Sequence, residues 1–425
     1  MHWGLKVKYV VRQYAIIVWV VLIAILHISC AALEARDEAY AGRDALLACD
    51  FSLAVRHFES AYRVLDHHSE VTFGYGVATI LDVLNAPDVR DVLIKLGASR
   101  DVTSLCLEWK AREDSVDTDK GNTESPTDDC EPLFLRDIVF SNKESCLNES
   151  CSLVSGIDSA LTWHTVFSVI EHHKTRLSLA AELLSLSASQ WDEAYTLEDI
   201  FGVKTLGIHP ADAFLLAALI EGILFVSEIA GHYDTQFGIR DTFEDKDCES
   251  NAAYLNAVVG LPNTDGAGYA VNRVHFERCM KYLKSAFEKA YQLREVVDRA
   301  QTVDCDTTQS LLSWTTVPYG VMDNVISLCA AFEQEPYVIQ ELLAPDLSVD
   351  MVYFLTHLPY RSPTEPFFVC AQDQLELKYE FLIEAINCVT TPNLLAEGEG
   401  TLKLDSQFSY RLSSGWLKWT PLDLW

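Results

Sequence analysis

The densest cluster of side chains that could do chemistry consists of His164, His172 and His173, with Glu171 beside them. Imidazole and carboxylate groups are common zinc ligands, and imidazole also transfers protons near neutral pH. On one helix, however, His164 lies about 11 Å along the axis from Glu171 and His172, whereas zinc holds its ligands at about 2 Å. A single helix therefore cannot chelate an ion this way, and a second helix would have to supply ligands. We interpret the cluster as an exposed polar stripe and predict no metal site.

Local motifs of the common catalytic and cofactor sites are absent from the sequence. It contains no phosphate-binding glycine loop, no GxSxG, no HExxH and no CxxC. The glycine-rich segment 260–268 follows no hydrophobic strand, so we interpret it as a connection between helices. The sequence thus predicts no catalytic residue and no cofactor. A site assembled from distant helices, for example around Glu221, His164 and His232, is the enzymatic alternative.

The chain has twelve cysteines, which raises the question of disulfides. Cys146 and Cys151 are the pair we favour, because they lie close together in a polar loop, and Cys130 is a rival for either partner. Four other cysteines lie in apolar helical stretches, where cysteine is usually a small buried hydrophobic residue. These four are Cys49, Cys279, Cys329 and Cys388.

The first 30 residues have the organisation of an export signal. Basic residues precede an apolar stretch from Ala15 to Ile28, which is about the length of a secretory signal and short for a spanning helix. Leu26-His27-Ile28-Ser29-Cys30 then resembles a bacterial lipoprotein signal of the looser, spirochaete type, with His27 where that signal usually has leucine. The resemblance implies that Cys30 carries a lipid that tethers the protein to a membrane.

Two other interpretations of this segment remain open. Cleavage after Ala31 would release an exported protein, since Ser29 and Ala31 are both small. An uncleaved signal anchor extending to Ala32 would keep the segment in the membrane. All three interpretations place the rest of the chain outside the cytoplasm, in the cell envelope on the periplasmic side of a membrane, because the basic end stays in the cytoplasm.

Residues 36–70 predict two helices joined by a short turn. Within them Gly42, Ala54, Phe58 and Ala61 follow the spacing of a tetratricopeptide repeat, and the segment resembles that family. In the family, small residues let two helices approach closely and the aromatic residue fills the space between them. The resemblance implies stacked helical hairpins that present a groove to a protein partner or a transported ligand.

The pattern of the whole chain predicts an all-α fold, either a helical bundle or a short α-solenoid of antiparallel hairpins. The main region predicts helices over 158–187, 189–202, 213–230, 274–299, 320–343 and 372–389. The tail alternates at 402–404 and 408–412, as in a short β-hairpin. Five segments follow: a signal or anchor at 1–30, hairpins resembling tetratricopeptide repeats at 31–111, an acidic irregular loop at 112–155, the main helical region at 156–395 and an irregular tail at 396–425.

The formal charge of −30 argues against nucleic-acid binding, because phosphate would be repelled over most of the surface. The helix 213–230 is apolar enough to span a membrane, but Glu221 at its centre favours a buried core helix. We therefore predict a non-enzymatic, tethered binding protein. A carrier with an apolar cavity beneath this helix is the other alternative.

Overall fold

The structure is a computed structural model, and it describes sixteen ranges of the chain: 33–66, 68–98, 101–104, 106–107, 157–190, 195–196, 207–232, 235–240, 247–258, 273–300, 314–333, 338–339, 349–350, 368–371, 374–378 and 401–403. The predicted signal with Cys30, the acidic loop with Cys146 and Cys151, and most of the tail lie outside these ranges. Helices dominate the described residues, which confirms the predicted all-α class.

The N-terminal part contains four longer helices, α1 at 33–47, α2 at Phe51–Tyr62, α3 at Ser69–Leu84 and α4 at Pro87–Lys95, and residues 102–104 and 106–107 are also helical. Asp50 caps α2, because its carboxylate accepts the backbone N–H of Leu53 at 3.1 Å. Just before this cap, Cys49 adopts a φ of 58°, which reverses the chain between α1 and α2. The predicted pair of helices is thus present, with its turn at residues 48–50.

Five further helices form the main region: α5 at Trp163–Gln190, α6 at Pro210–Ala230, α7 at Cys248–Val258, α8 at Arg273–Ala300 and α9 at Tyr319–Ala331. Most of these helices pack in series, with α2 against α3, α3 against α5, α5 against α6, α6 against α8 and α8 against α9. One continuous hydrophobic core runs through this stack. Each helix covers its neighbour's apolar face, which fits the predicted bundle or short solenoid.

Helix α6 is the single described helix that is long and apolar enough to cross a membrane. It instead lies between α5 and α8, and one side of it is buried in the core. Pro210 begins the helix, Gly231 follows its last residue, and Glu221 near its middle is fully buried. This packing agrees with the predicted core helix.

The described residues also form short antiparallel strands: β1 Tyr195–Thr196 pairs with β2 Gly207–Ile208, β3 Val338–Ile339 pairs with β4 Val349–Asp350, and β5 Phe368–Ala371, β6 Gln374–Lys378 and β7 Thr401–Lys403 form one sheet. Three of these strands, β1, β3 and β6, lie where the sequence predicts helix. The predicted helix 372–389 is therefore wrong at its beginning, because β6 alternates polar and apolar residues with the period of a strand. In the tail, β7 pairs with β6 rather than with 408–412, which lies outside the described residues.

Two disulfides join distant parts of the chain. Cys49 bonds Cys106, with 6.2 Å between their Cα atoms, and Cys248 bonds Cys370, with 5.6 Å. The prediction that Cys49 is only a buried apolar residue is therefore wrong, since it is buried but bonded. Cys279 and Cys329 are free thiols; Cys329 is buried, as predicted, whereas Cys279 is half-buried. Because α7 packs on β5 and β6, the second disulfide fastens this helix to the sheet.

Candidate functional site

An open groove lies along the N-terminal hairpin, between α1 and the segment that leads into α3. Its volume is about 310 Å³. From one face of α1 it takes Arg36, Ala39, Tyr40 and Arg43, and the other lining residues are Phe58, Leu65, His68, Glu70 and Val71. The α1 residues are three or four positions apart, so a helix brings them to the same side. The groove thus combines cationic groups with an aromatic floor.

Among the described residues, the groove's two arginines have no ionic partner. In the ranges that the structure describes, no carboxylate pairs with Arg36 or Arg43. Many other basic residues are paired; Arg63, for example, lies 2.8 Å from Glu59. Tyr40, between the two arginines, leaves 64% of its surface exposed. In a chain of net charge −30, this hairpin therefore presents a local cationic and aromatic surface.

The floor of the groove is fixed by close packing around Phe58. A Cβ added to Gly42 of α1 would lie 2.9 Å from the ring of Phe58, and one added to Gly74 of α3 would lie 2.5 Å from it. Ala54 and Ala61, one turn on either side of Phe58, are fully buried. The structure thus places the four residues with repeat spacing at one crossing of α1, α2 and α3. Gly74 also packs against Phe58 at this crossing, although it was not among the four residues predicted from the sequence.

A second polar site lies inside the helical stack, where α5, α6 and α8 meet. Glu221 of α6 has no exposed surface, and its Oε2 lies 2.6 Å from Nδ1 of His275 in α8. Its Oε1 lies 3.5 Å from Nη1 of Arg278, and this guanidinium also lies 2.8 Å from Glu182 of α5. The arrangement is a buried ion pair extended by one arginine towards the surface.

The free thiols near this cluster are not activated for chemistry. Burial and the charge of Glu221 raise the pKa of Cys279 to about 12, and burial raises the pKa of Cys329 to about 12 as well. A thiol attacks as the thiolate, which is scarce at neutral pH when its pKa is this high. Cys279 and Cys329 are therefore poor nucleophiles at neutral pH.

Helix α6 begins with a buried imidazole. Nδ1 of His209 accepts the backbone N–H of Ala211 at 3.1 Å, and Asp212 accepts the backbone N–H of His209 at 2.8 Å. Trp314 donates its indole N–H to the same Asp212 carboxylate at 2.7 Å. Burial, together with the positive charge of Lys289, lowers the pKa of His209 to about 4. His209 is therefore neutral at pH 7, as its role as an acceptor requires.

The imidazole that the structure pairs with Glu221 belongs to His275, which was not among the candidates predicted from the sequence, rather than to His164 or His232. Nε2 of His164 lies 3.5 Å from the hydroxyl of Ser168 in its own helix. His172 and His173 meet a carboxylate of α4 and could hold a metal with it. No protein-family model matches the chain, and comparisons with curated proteins and with solved structures find no match.

Proposed function

We propose that this chain is an exported, membrane-tethered helical binding protein whose N-terminal groove receives an acidic segment of a protein partner. The observation that carries the proposal is the pair of arginines, Arg36 and Arg43, which lie on either side of the exposed Tyr40 and have no carboxylate partner among the described residues. A guanidinium binds a carboxylate through two parallel hydrogen bonds, and an aromatic ring adds apolar contact.

The size of the groove fits a short peptide segment. At about 310 Å³ it can take a few side chains, and its open form lets the chain of a partner continue past it. The buried Phe58 and Val71 supply an apolar floor, so the segment would carry an apolar residue between its carboxylates. A small anionic ligand is the second candidate, because the volume lies at the lower end of the range for small-molecule sites, roughly 300–1,000 Å³.

The two alternatives predicted from the sequence, an apolar carrier and an enzyme, are less well supported. A carrier needs a cavity beneath α6, but this helix packs against α5 and α8 with Ala217 and Leu224 in the core. An enzyme around Glu221 needs access for a substrate, but that carboxylate is fully buried. These observations favour binding at the surface over transport or catalysis inside the stack.

Charge reversal at the groove tests the proposal. We expect the double variant Arg36→Glu, Arg43→Glu of the full chain to bind a fluorescein-labelled peptide of six glutamates and one phenylalanine at least tenfold more weakly than the native chain. The reason is that each lost charge-assisted hydrogen bond is worth about 1.5–3 kcal/mol. Fluorescence anisotropy at physiological salt measures the dissociation constants.

Arg56→Glu is the matched control, because Arg56 is an exposed arginine of α2 that has no ionic partner in the described part of the chain and does not line the groove. This variant reverses a single positive charge outside the groove, and we expect its affinity for the peptide to remain within twofold of the native value. Equal binding by the native chain and the double variant would contradict the proposal. So would the absence of saturable binding by the native chain.

The proposed tether rests on the first 30 residues, and the two disulfides support export, because disulfides persist in oxidising compartments. We expect native protein expressed with a labelled fatty acid to carry the label and Cys30→Ser to lose it, since the thiol is the proposed attachment point. Scintillation counting of the purified proteins gives the result. An unlabelled native protein would contradict lipidation while leaving the groove proposal intact.

A further inference from the structure

A carboxylate and two neighbouring imidazoles meet where α4 packs against α5. Nε2 of His173 lies 3.1 Å from both Oδ1 and Oδ2 of Asp88. The ring of His172 meets that of His173 edge to face, with 4.7 Å between centroids. One ligand atom from each of the three residues lies within 4.8 Å of the other two, and no other such group of His, Cys, Asp or Glu is found among the described residues. Asp88 of α4 thus provides the ligand from a second helix that the histidines of α5 would need to bind a metal.

The spacing of these atoms suits a metal ion. Two ligands that lie about 2.0–2.2 Å from an ion, at angles between octahedral and tetrahedral, are about 3–3.5 Å apart. The 3.1 Å between His173 and Asp88 falls in this range, so an ion could replace the proton they share. His172 would have to move closer by at most about 1.5 Å, which a small adjustment of its side-chain torsions allows because the residue is exposed.

Two of the three ligands are already held in place. His173 is buried in the contact between the helices, with only 8% of its side chain exposed. Asp88 follows Pro87 in the first turn of α4, and its Oδ1 also accepts the backbone N–H of Val89 at 3.0 Å. With 41% of its side chain exposed, Asp88 leaves one side of the cluster open to water. A water molecule could therefore complete the coordination.

We propose that Asp88, His172 and His173 bind one divalent transition-metal ion, with zinc the best match to two imidazoles and one carboxylate. The ion would join α4 to α5 and so tie the N-terminal hairpins to the main helical region. The His173–Asp88 hydrogen bond by itself would explain only two of the three side chains. The metal would add His172, the imidazole next to His173, as the third ligand.

The proposal is tested with tag-free full-length protein stripped with EDTA and titrated with zinc chloride in an isothermal calorimeter. We expect one equivalent to bind with a micromolar or lower dissociation constant. His172→Asn is expected to weaken binding at least tenfold, because it removes a ligand without touching the buried pair. Asp88→Asn should weaken it similarly, and zinc should raise the Tm of the native chain but not of His172→Asn.

His164→Asn is the matched control, since His164 is an exposed imidazole of the same helix, two turns away. We expect this variant to bind zinc with native affinity. Native affinity in His172→Asn would overturn the proposal, because the metal would then be bound elsewhere. The absence of stoichiometric binding by the native chain would overturn it as well. His172→Asn keeps the result interpretable even if Asp88→Asn disturbs the beginning of α4.

Discussion

Replacing His275 with alanine is expected to lower the free energy of unfolding by about 3–5 kcal/mol, because it leaves a charge buried without its partner. Glu221 has no exposed surface, and Nδ1 of His275 is its nearest partner at 2.6 Å. In the variant, the remaining cation at Glu221 would be Arg278, which lies 3.5 Å away and also contacts Glu182. Urea denaturation of the native and variant chains measures the difference.

Glu182→Ala provides the matched control for this pair. Glu182 contacts the same Arg278 guanidinium, but 49% of its side chain is exposed, so its ion pair should contribute less than about 1 kcal/mol. Replacing Glu221 and His275 together by leucine should restore much of the stability, because an apolar pair carries no desolvation cost. A loss below about 1 kcal/mol in His275→Ala would contradict the view that this ion pair fastens α6 to α8.

Much of the helical fold could be predicted from local signals in the sequence. Pro210 and Gly231 are a typical start and stop for a helix, and α6 lies between them. Gly97 lies just after α4 with a φ of 98°, a conformation that favours glycine and marks the end of a helix. The strand β6 was missed because a run of five residues is too short for its alternation to outweigh the helical pattern around it.

The sites depend on contacts that no local pattern contains. Glu221 and His275 are 54 positions apart in the sequence, and Asp88 and His173 are 85 apart. Which helices become neighbours is decided by packing of the whole stack, so a single sequence does not reveal such pairs. The cationic face of α1 could have been found from the spacing of Arg36 and Arg43. That these arginines have no carboxylate partner among the described residues could not have been found in this way, because it depends on how α1 packs.

Acidification from pH 7 to pH 4.5 is expected to destabilise the native chain through His209. Burial and the charge of Lys289 lower the pKa of this imidazole to about 4, whereas in the unfolded chain the pKa returns to its ordinary value near 6.5. Between these values the unfolded state binds more protons than the folded state, so stability falls as the pH falls through the window. A difference of this size is worth about 3 kcal/mol once the pH is below both values.

His209→Asn separates this effect from other titrations. Asparagine can still accept a backbone N–H as the first residue before α6, but it does not titrate, so the variant should lose most of the slope of unfolding free energy against pH between 6.5 and 4.5. His164→Asn should keep the native slope, because His164 is exposed. Urea denaturation at several pH values gives both slopes. Equal slopes in the native chain and His209→Asn would show that the buried imidazole is not the acid-sensitive group. The outcome bears on how α6 is anchored, since Asp212 joins the start of this helix to Trp314 and also accepts the backbone N–H of His209.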